Sequence, residues 1–143
     1  MDGKNTKKVI IDAYRGGDDI GSSINGIVEK DYTLKISEYM KNRFDELGIP
    51  SKMTRTTDET LAPSERVNRI LNAYGNSPDV LVISNHLNAG GGSGSEVIYA
   101  LRNNDILAKN ILKGLGESGM PIRKVYQRRL PSDMTKDYYF IHR

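Results

Sequence analysis

The sequence contains no cysteine and no tryptophan, and it contains only two histidines. Without cysteine the chain forms no disulfide bond and no thiolate metal site, so a transition-metal site has to use histidine, aspartate or glutamate. A catalytic zinc ion needs about three protein ligands. Two histidines are too few for a site built from histidine alone.

Long apolar runs are absent as well. No segment approaches the roughly 20 apolar residues of a membrane-spanning helix. No apolar run of signal-peptide length follows the polar N-terminal stretch of residues 1–8. We therefore expect a protein that is made in the cytoplasm without a signal peptide and that does not act in a membrane.

Charge is unevenly distributed along the chain, whose net charge is +3. Six of the 21 basic side chains but only two of the 18 acidic ones lie in residues 120–143. These basic residues are Arg123, Lys124, Arg128, Arg129, Lys136 and Arg143. A basic segment is compatible with an anionic cell-wall polymer, with nucleic acid or simply with a solvated face. Nucleic acid is the weakest of these readings, because the interleaving of aromatic and basic residues is not strong enough to favour it.

The 143 residues are 37% hydrophobic and 27% charged, which is typical of one globular domain, residues 1–143. The predicted strands are Lys8–Asp12, Ser51–Arg55, Val80–Ile83, Glu96–Ala100, Val125–Tyr126 and Tyr138–Ile141. The predicted helices begin at Asp31, Pro63 and Asn104, with apolar stripes of Ile36, Met40, Phe44 and Leu47 in the first and Leu107, Ile111 and Leu115 in the third. This alternation predicts an α/β fold, a three-layer αβα sandwich around a mostly parallel central sheet.

One predicted strand organises the candidate site. The unalternating apolar run Val80–Ile83 is typical of a strand buried on both faces, and we expect it at the centre of the sheet. His86 follows this strand, at the sheet edge where open α/β folds bind ligands. Asn88 and the glycine-rich stretch 90–94, which includes Gly90 and Gly91, come next and either line a substrate groove or form an ordinary turn.

Acidic residues accompany this histidine at the ends of other elements. Asp12 ends the first predicted strand, and Glu29 precedes the first helix. A carboxylate and an imidazole brought together from separate elements are the ingredients of a hydrolytic zinc site, in which the metal activates water and polarises a carbonyl. An acid at a helix N-terminus is also common for electrostatic reasons alone.

Three segments, Val28-Glu29-Lys30-Asp31, Thr54–Asp58 with Glu65-Arg66, and Ser84–Ala89, occur in an order that resembles the zinc-dependent N-acetylmuramoyl-L-alanine amidases of the Amidase_3 family. The resemblance covers essentially the whole chain, and its most specific part is the Ser-x-His-x-Asn-Ala motif. It implies a bacterial autolysin or phage endolysin domain that cleaves the amide between N-acetylmuramic acid and L-alanine in peptidoglycan. It also implies Glu29 and His86 as zinc ligands.

The chain departs from the family pattern at the first zinc ligand. The family motif is Asp-x-Gly-His-Gly-Gly, whereas this chain has Asp12-Ala13-Tyr14-Arg15-Gly16-Gly17, with Arg15 at the ligand position. Arginine is permanently cationic and cannot bind a metal. Asp18 and Asp19 are interpreted as a solvated loop, with substitution for the lost ligand as an alternative. Asp12 is interpreted as a carboxylate that either supports a ligand side chain from behind or fixes the loop.

A second departure concerns the C-terminal end. The family continues into a strand that bears a general-base glutamate and then into a closing helix, and we expect both to lie beyond residue 143, so that no catalytic base lies within the chain and the fold is truncated. His142 falls outside the ligand motifs and is expected to be structural or exposed. These departures predict a weak or inactive amidase, with a non-catalytic peptidoglycan-binding module as the alternative.

Overall fold

The computed structural model describes residues 7–88 and 92–143. The chain folds into two compact units, residues 1–89 and residues 90–143. The first unit contains β1 (Lys8–Ala13), β2 (Ser23–Ile24), β3 (Ile27–Val28), α1 (Glu29–Glu46), β4 (Ser51–Met53), α2 (Pro63–Tyr74) and β5 (Val80–Asn85). The second contains β6 (Ser95–Ile98), α3 (Ile106–Glu117), β7 (Ile122–Tyr126), β8 (Arg129–Leu130) and β9 (Asp133–Asp137). No helix among the described residues is long and apolar enough to cross a membrane.

The first unit is built on a three-stranded parallel sheet with the strand order β4-β1-β5. Val9 pairs with Ser51 on one side and with Leu81 on the other. Parallel strands need crossover connections, and α1 connects β1 to β4 while α2 connects β4 to β5. The predicted α/β fold with a parallel central sheet is confirmed.

The prediction that Val80–Ile83 forms the central strand is wrong for this unit. β1 lies in the middle, and its residues Val9–Ala13 are buried, whereas β5 is the outer strand and is half-buried along its length. Both strands carry an unalternating β-branched run, so their composition does not indicate which one is central. Strand order is decided by the crossover connections, which place β4 and β5 on opposite sides of β1.

Helix α1 also differs from its prediction. It begins at Glu29 rather than Asp31, and the residue before it, Val28, makes no side-chain cap. The buried face consists of Glu29, Thr33 and Ser37, while Ile36 and Leu47 of the predicted apolar stripe are exposed. Polar residues are buried here because long-range partners satisfy them: Thr33 Oγ1 donates to Tyr14 O at 2.7 Å, and Ser37 Oγ accepts from Asn85 Nδ2 at 3.0 Å.

Helix α2 and strand β4 of the first unit lie close to their predicted positions. Helix α2 has Pro63 in its first turn and ends at Gly75, whose φ of 77° suits glycine. Strand β4 is shorter than predicted and stops at Met53. Thr54 and Arg55 leave the ladder and direct their side chains into the interior, where both are buried.

In the second unit, β6 and β7 are parallel and α3 packs against both strands. Helix α3 begins at Ile106, and the Asn104 side chain accepts a hydrogen bond from the Ile106 amide at 3.1 Å. Its buried positions are Ala108 and Leu112, whereas Leu107 of the predicted stripe is exposed. The predicted face was therefore rotated by about one residue.

The prediction of a strand at Tyr138–Ile141 is wrong. The last strand is β9, which pairs with β8 in an antiparallel hairpin around a turn at Pro131-Ser132. The hydrogen bonds between the two strands end with the Tyr138 amide, which donates to Arg128 O at 2.9 Å, and bends and turns follow. The aromatic content of residues 138–141 favoured a strand, but the short turn restricts pairing to the residues next to it.

Candidate active site at the carboxyl end of the first sheet

The carboxyl ends of β1 and β5 bring Asp12, Ser84 and His86 together. Asp12 is paired in register with Ser84, and Ser84 Oγ donates to Asp12 Oδ2 at 2.5 Å. Ser84 Oγ also lies 2.9 Å from His86 Nε2. Because the single hydroxyl proton of Ser84 points to the carboxylate, Nε2 of neutral His86 donates to Ser84 Oγ. This chain of hydrogen bonds fixes both the orientation and the tautomer of the imidazole.

Asp12 is anchored by a second set of contacts that the sequence reading did not assign. Its Oδ1 accepts from Arg66 Nη1 at 2.6 Å and from Thr54 Oγ1 at 2.7 Å. Arg66 also donates to the carbonyl oxygens of Ala13 at 2.8 Å and of Arg15 at 3.0 Å. Asp12 and Arg66 are both buried. Asp12 therefore contacts Ser84 directly and the loop after β1 only through Arg66, so both of its interpretations from the sequence stay open.

Arg55 is a second buried arginine of this region. It donates to Ala13 O at 3.0 Å, to Thr57 O at 2.9 Å and to Lys30 O at 2.8 Å. Burial and the neighbouring Arg66 lower the pKa of Arg55, but an arginine stays charged at any ordinary pH. Both arginines lie in the segments that carry the family resemblance, Thr54–Asp58 and Glu65-Arg66, and that resemblance was the only signal for them.

Glu29 lies at the N-terminus of α1 and is 2% exposed. Its Oε1 accepts from the Ser22 amide at 3.1 Å and from Arg15 Nε at 3.3 Å, and its Oε2 accepts from the Leu87 amide at 3.1 Å. A Cβ atom at Gly21 would lie 2.4 Å from Oε1, so only glycine allows this close approach. The structure thus places Glu29 directly beside the segment that carries His86.

Tyr14 covers the imidazole of His86. The two rings are stacked, with their centroids 3.8 Å apart and their planes inclined by 17°. Burial lowers the pKa of His86 to about 4, against the opposing effect of Asp12 and Glu29. His86 is therefore neutral near pH 7. Arg15 Cζ lies 4.7 Å from the centroid of the Tyr14 ring, and this distance is in the range of a cation–π interaction.

Arg15 has an unusual backbone and two acidic neighbours. Its φ is 70°, in the left-handed region that is uncommon for residues other than glycine. Besides its contact with Glu29, its Nη1 lies 3.3 Å from Asp19 Oδ1. Asp19 is exposed and pairs with arginine, and the exposed Asp18 donates its amide to Thr60 Oγ1 at 2.9 Å.

These side chains do not fit a resident zinc ion. The Glu29 carboxylate accepts hydrogen bonds from Arg15 and from two backbone amides, and the group next to it is a permanently cationic guanidinium that cannot bind a metal. Across residues 7–88 and 92–143, no three histidine, aspartate or glutamate side chains are grouped to hold a metal. The assignment of Glu29 and His86 as zinc ligands stays a prediction.

The remaining predicted site residues are placed as follows. Asn88 is exposed, and Gly90 and Gly91 lie outside the described residues. In the second unit His142 is half-buried, with Nδ1 4.0 Å from Asp137 Oδ1 and its ring edge-on to Tyr139. Arg128 stacks its guanidinium 3.8 Å from the Tyr138 ring centroid, and Arg129 and Lys136 are exposed. His142 thus fits the structural role expected for it.

The fold is similar to that of solved bacterial proteins. Cwp6 from Clostridium difficile superposes with a TM-score of 0.83 at 33% identity, over 96% of this chain and 22% of that one. The catalytic domain of CwlV, an N-acetylmuramoyl-L-alanine amidase from Bacillus (Paenibacillus) polymyxa var. colistinus, gives 0.76 over 96% of this chain and 73% of that one. At 23% identity, the second likeness shows the fold alone.

The sequence defines the family. The family model described as N-acetylmuramoyl-L-alanine amidase matches residues 9–141, and the chain belongs to this family. CwlM of Bacillus licheniformis, an N-acetylmuramoyl-L-alanine amidase, is 35% identical over 91 residues, which are 62% of this chain and 34% of that protein. The uncharacterized protein YqiI of Bacillus subtilis (strain 168) is 39% identical over 95 residues, 65% of this chain and 44% of that protein. The chain thus spans less than half the length of these relatives.

Proposed function

We propose that this chain is part of a peptidoglycan hydrolase that acts on the amide between N-acetylmuramic acid and L-alanine in the bacterial cell wall, and that its zinc-dependent hydrolysis is impaired. The substrate class is supported by membership of the amidase family. The impairment is supported by one observation, the ion pair of Arg15 with Glu29. We also propose that the protein is made in the cytoplasm and acts on the wall as an autolysin or endolysin component.

The physical argument for impairment is electrostatic. Two unit charges of the same sign 4 Å apart repel by about 4 kcal/mol at an effective dielectric constant of 20, and the figure doubles for a divalent ion. A zinc ion at Glu29 would meet the guanidinium of Arg15 at close range. It would also have to compete with the three donors that already bond to the carboxylate.

A second candidate function is a peptidoglycan-binding module without hydrolysis. The observation in its favour is that the side chains around His86 stay fully organised by hydrogen bonds and stacking, although they do not fit a metal. An ordered cluster of polar side chains can bind a sugar–peptide polymer without cleaving it.

The experiment that separates these functions uses purified insoluble peptidoglycan. We would incubate it with the chain in the presence of zinc and, separately, of EDTA, and then measure released stem peptides and the fraction of protein that sediments with the wall. We expect sedimentation with little or no release. Robust zinc-dependent release would contradict the impairment, and the absence of both release and sedimentation would contradict both functions.

The double variant Arg15→His with Tyr14→Gly is the matched comparison, because it brings the loop to the family pattern. We expect it to bind zinc in calorimetry, with binding lost when His86→Ala is added. Failure of the double variant to bind zinc would contradict the assignment of Glu29 and His86 as ligands.

A further inference from the structure

The buried carboxylate of Glu29 needs a positive partner. A charge removed from water costs several kcal/mol unless it is paired and hydrogen-bonded. The Ser22 and Leu87 amides supply neutral hydrogen bonds, and the ion pair comes from Arg15, whose Nε lies 3.3 Å from Oε1. Within the described part of the chain, Arg15 therefore supplies the compensating charge.

The backbone of Arg15 is held so that its side chain reaches this carboxylate. The left-handed φ of 70° costs about 1 kcal/mol or more in a residue other than glycine. The conformation is fixed by the bond from Arg66 to the Arg15 carbonyl and by reciprocal backbone bonds between Gly16 and Asp19 at 2.9 and 3.0 Å. The loop is thus built around an arginine in a strained conformation.

Tyr14 completes the arrangement on the other side. Its ring stacks on His86 and lies 4.7 Å from the Arg15 guanidinium carbon. One fixed cation thereby contacts both the carboxylate and the aromatic ring that covers the imidazole. Arg15, Tyr14, Glu29 and His86 thus form one cluster of contacting side chains.

We propose that the Arg15 guanidinium is a covalently built-in cation that takes the place of a metal ion at Glu29, so that the site is ordered without metal. The inference rests on the proposed function only for the expectation that an unaltered site of this family takes zinc. Its consequences concern folding and metal binding, whether or not the chain acts on peptidoglycan.

The first test is thermal unfolding of the chain in EDTA and in zinc, together with zinc calorimetry. We expect the same unfolding midpoint in both solutions and no stoichiometric zinc binding. In EDTA, Arg15→Gln should lower the midpoint by about 4 °C or more, since it leaves a buried carboxylate without a counter-ion. Lys41→Gln, which removes an exposed helix pair with Asp45, is the matched control and should shift it by less than about 1 °C.

The second test removes both charges. Adding Glu29→Gln to Arg15→Gln should restore part of the lost midpoint, because no buried charge is left unpaired. If Arg15→Gln fails to fold, the double variant decides: a folded double variant supports the proposal and an unfolded one overturns it.

Two other results would overturn the proposal: tight stoichiometric zinc binding by the unmodified chain, or an Arg15→Gln variant that unfolds at the unmodified midpoint in EDTA. Release of stem peptides from peptidoglycan would instead contradict the proposed impairment and leave the ion pair at Glu29 untouched. The two failures are therefore distinguishable.

Discussion

The two units of the chain stabilise their interiors by different means. In the first, four charged side chains are buried beside the core strand β1: Asp12, Glu29, Arg55 and Arg66. In the described part of the second, the buried set consists of Ala100, Ala108, Leu112 and one carboxylate, Asp137, which accepts from the Leu101 amide at 2.9 Å. The site-bearing unit therefore adds buried, paired charges to an apolar core, whereas the described part of the other buries mainly apolar side chains.

The largest effect should follow from breaking the buried pair of the first unit. Arg66→Met removes the partner of Asp12 and the donor to two carbonyl oxygens, and we expect a loss of about 3–5 kcal/mol in the free energy of unfolding. Urea denaturation of the variant and of the unmodified chain measures this loss. A loss below about 1 kcal/mol would mean that the pair does not support the loop.

The next largest effect should be the change of stability with pH that His86 causes. The folded-state pKa of His86 is about 4 and its ordinary value is 6.5, so the unfolded chain takes up the proton first. The contribution of His86 to stability is therefore complete above pH 6.5, is lost as the pH falls toward 4 and changes no further below it. We expect the free energy of unfolding to fall by about 3 kcal/mol over this pH range because of His86.

Denaturation of the unmodified chain and of His86→Phe between pH 4 and 7 in EDTA isolates this contribution. Phenylalanine preserves an aromatic ring for Tyr14 to stack on and does not titrate. Burial also lowers the pKa of His142, in the second unit, and that residue is common to both proteins. Equal pH dependence of the two proteins would contradict the assignment to His86.

A smaller effect is expected from the core of the second unit. Leu112→Ala leaves a cavity on the inner face of α3, and we expect a loss of about 2 kcal/mol in the free energy of unfolding, at the low end for such substitutions because Leu112 is 9% exposed. Denaturation of this variant beside Leu107→Ala, at an exposed position of the same helix, checks which face is inward. A larger loss for Leu107→Ala would reverse the assignment.

The smallest effect is expected from an exposed ion pair. Lys109 Nζ lies 2.9 Å from Asp105 Oδ2 one turn earlier, and neither side chain is buried. Lys109→Gln should change the free energy of unfolding by no more than about 0.5 kcal/mol. A loss as large as that of Arg66→Met would remove the distinction between the two units.

The sequence predicted the order of the main elements and the position of His86 after a parallel strand, because these depend on local patterns. It did not predict the inward face of α1, since the hydrogen-bond partners of the buried Thr33 and Ser37 lie just after β1 and on β5. Helical periodicity cannot reveal contacts between residues 19 and 48 positions apart.

The candidate site was also predicted only in part. Glu29 and His86 were identified by their motifs, and the structure brings them to neighbouring segments through the Leu87 amide. Arg55 and Arg66 were given no role because arginine is almost never fully buried unless it is paired. Their acceptors are carbonyl oxygens of the loop after β1, which become recognisable only once the chain is folded.

The guanidinium groups of Arg55 and Arg66 both donate to the carbonyl of Ala13. In the loop that follows, Arg55 also donates to Tyr14 O at 3.4 Å and Arg66 to Arg15 O at 3.0 Å. Opening of this loop would remove these acceptors from two buried cations, so local opening costs free energy. Amide hydrogen exchange then becomes a measure of the whole unit: the Gly16 and Gly17 amides, bonded to Asp19 O and Asp58 Oδ1, should exchange at the rate of global unfolding. A segment of glycines and turns would thus be as slow to exchange as a core strand.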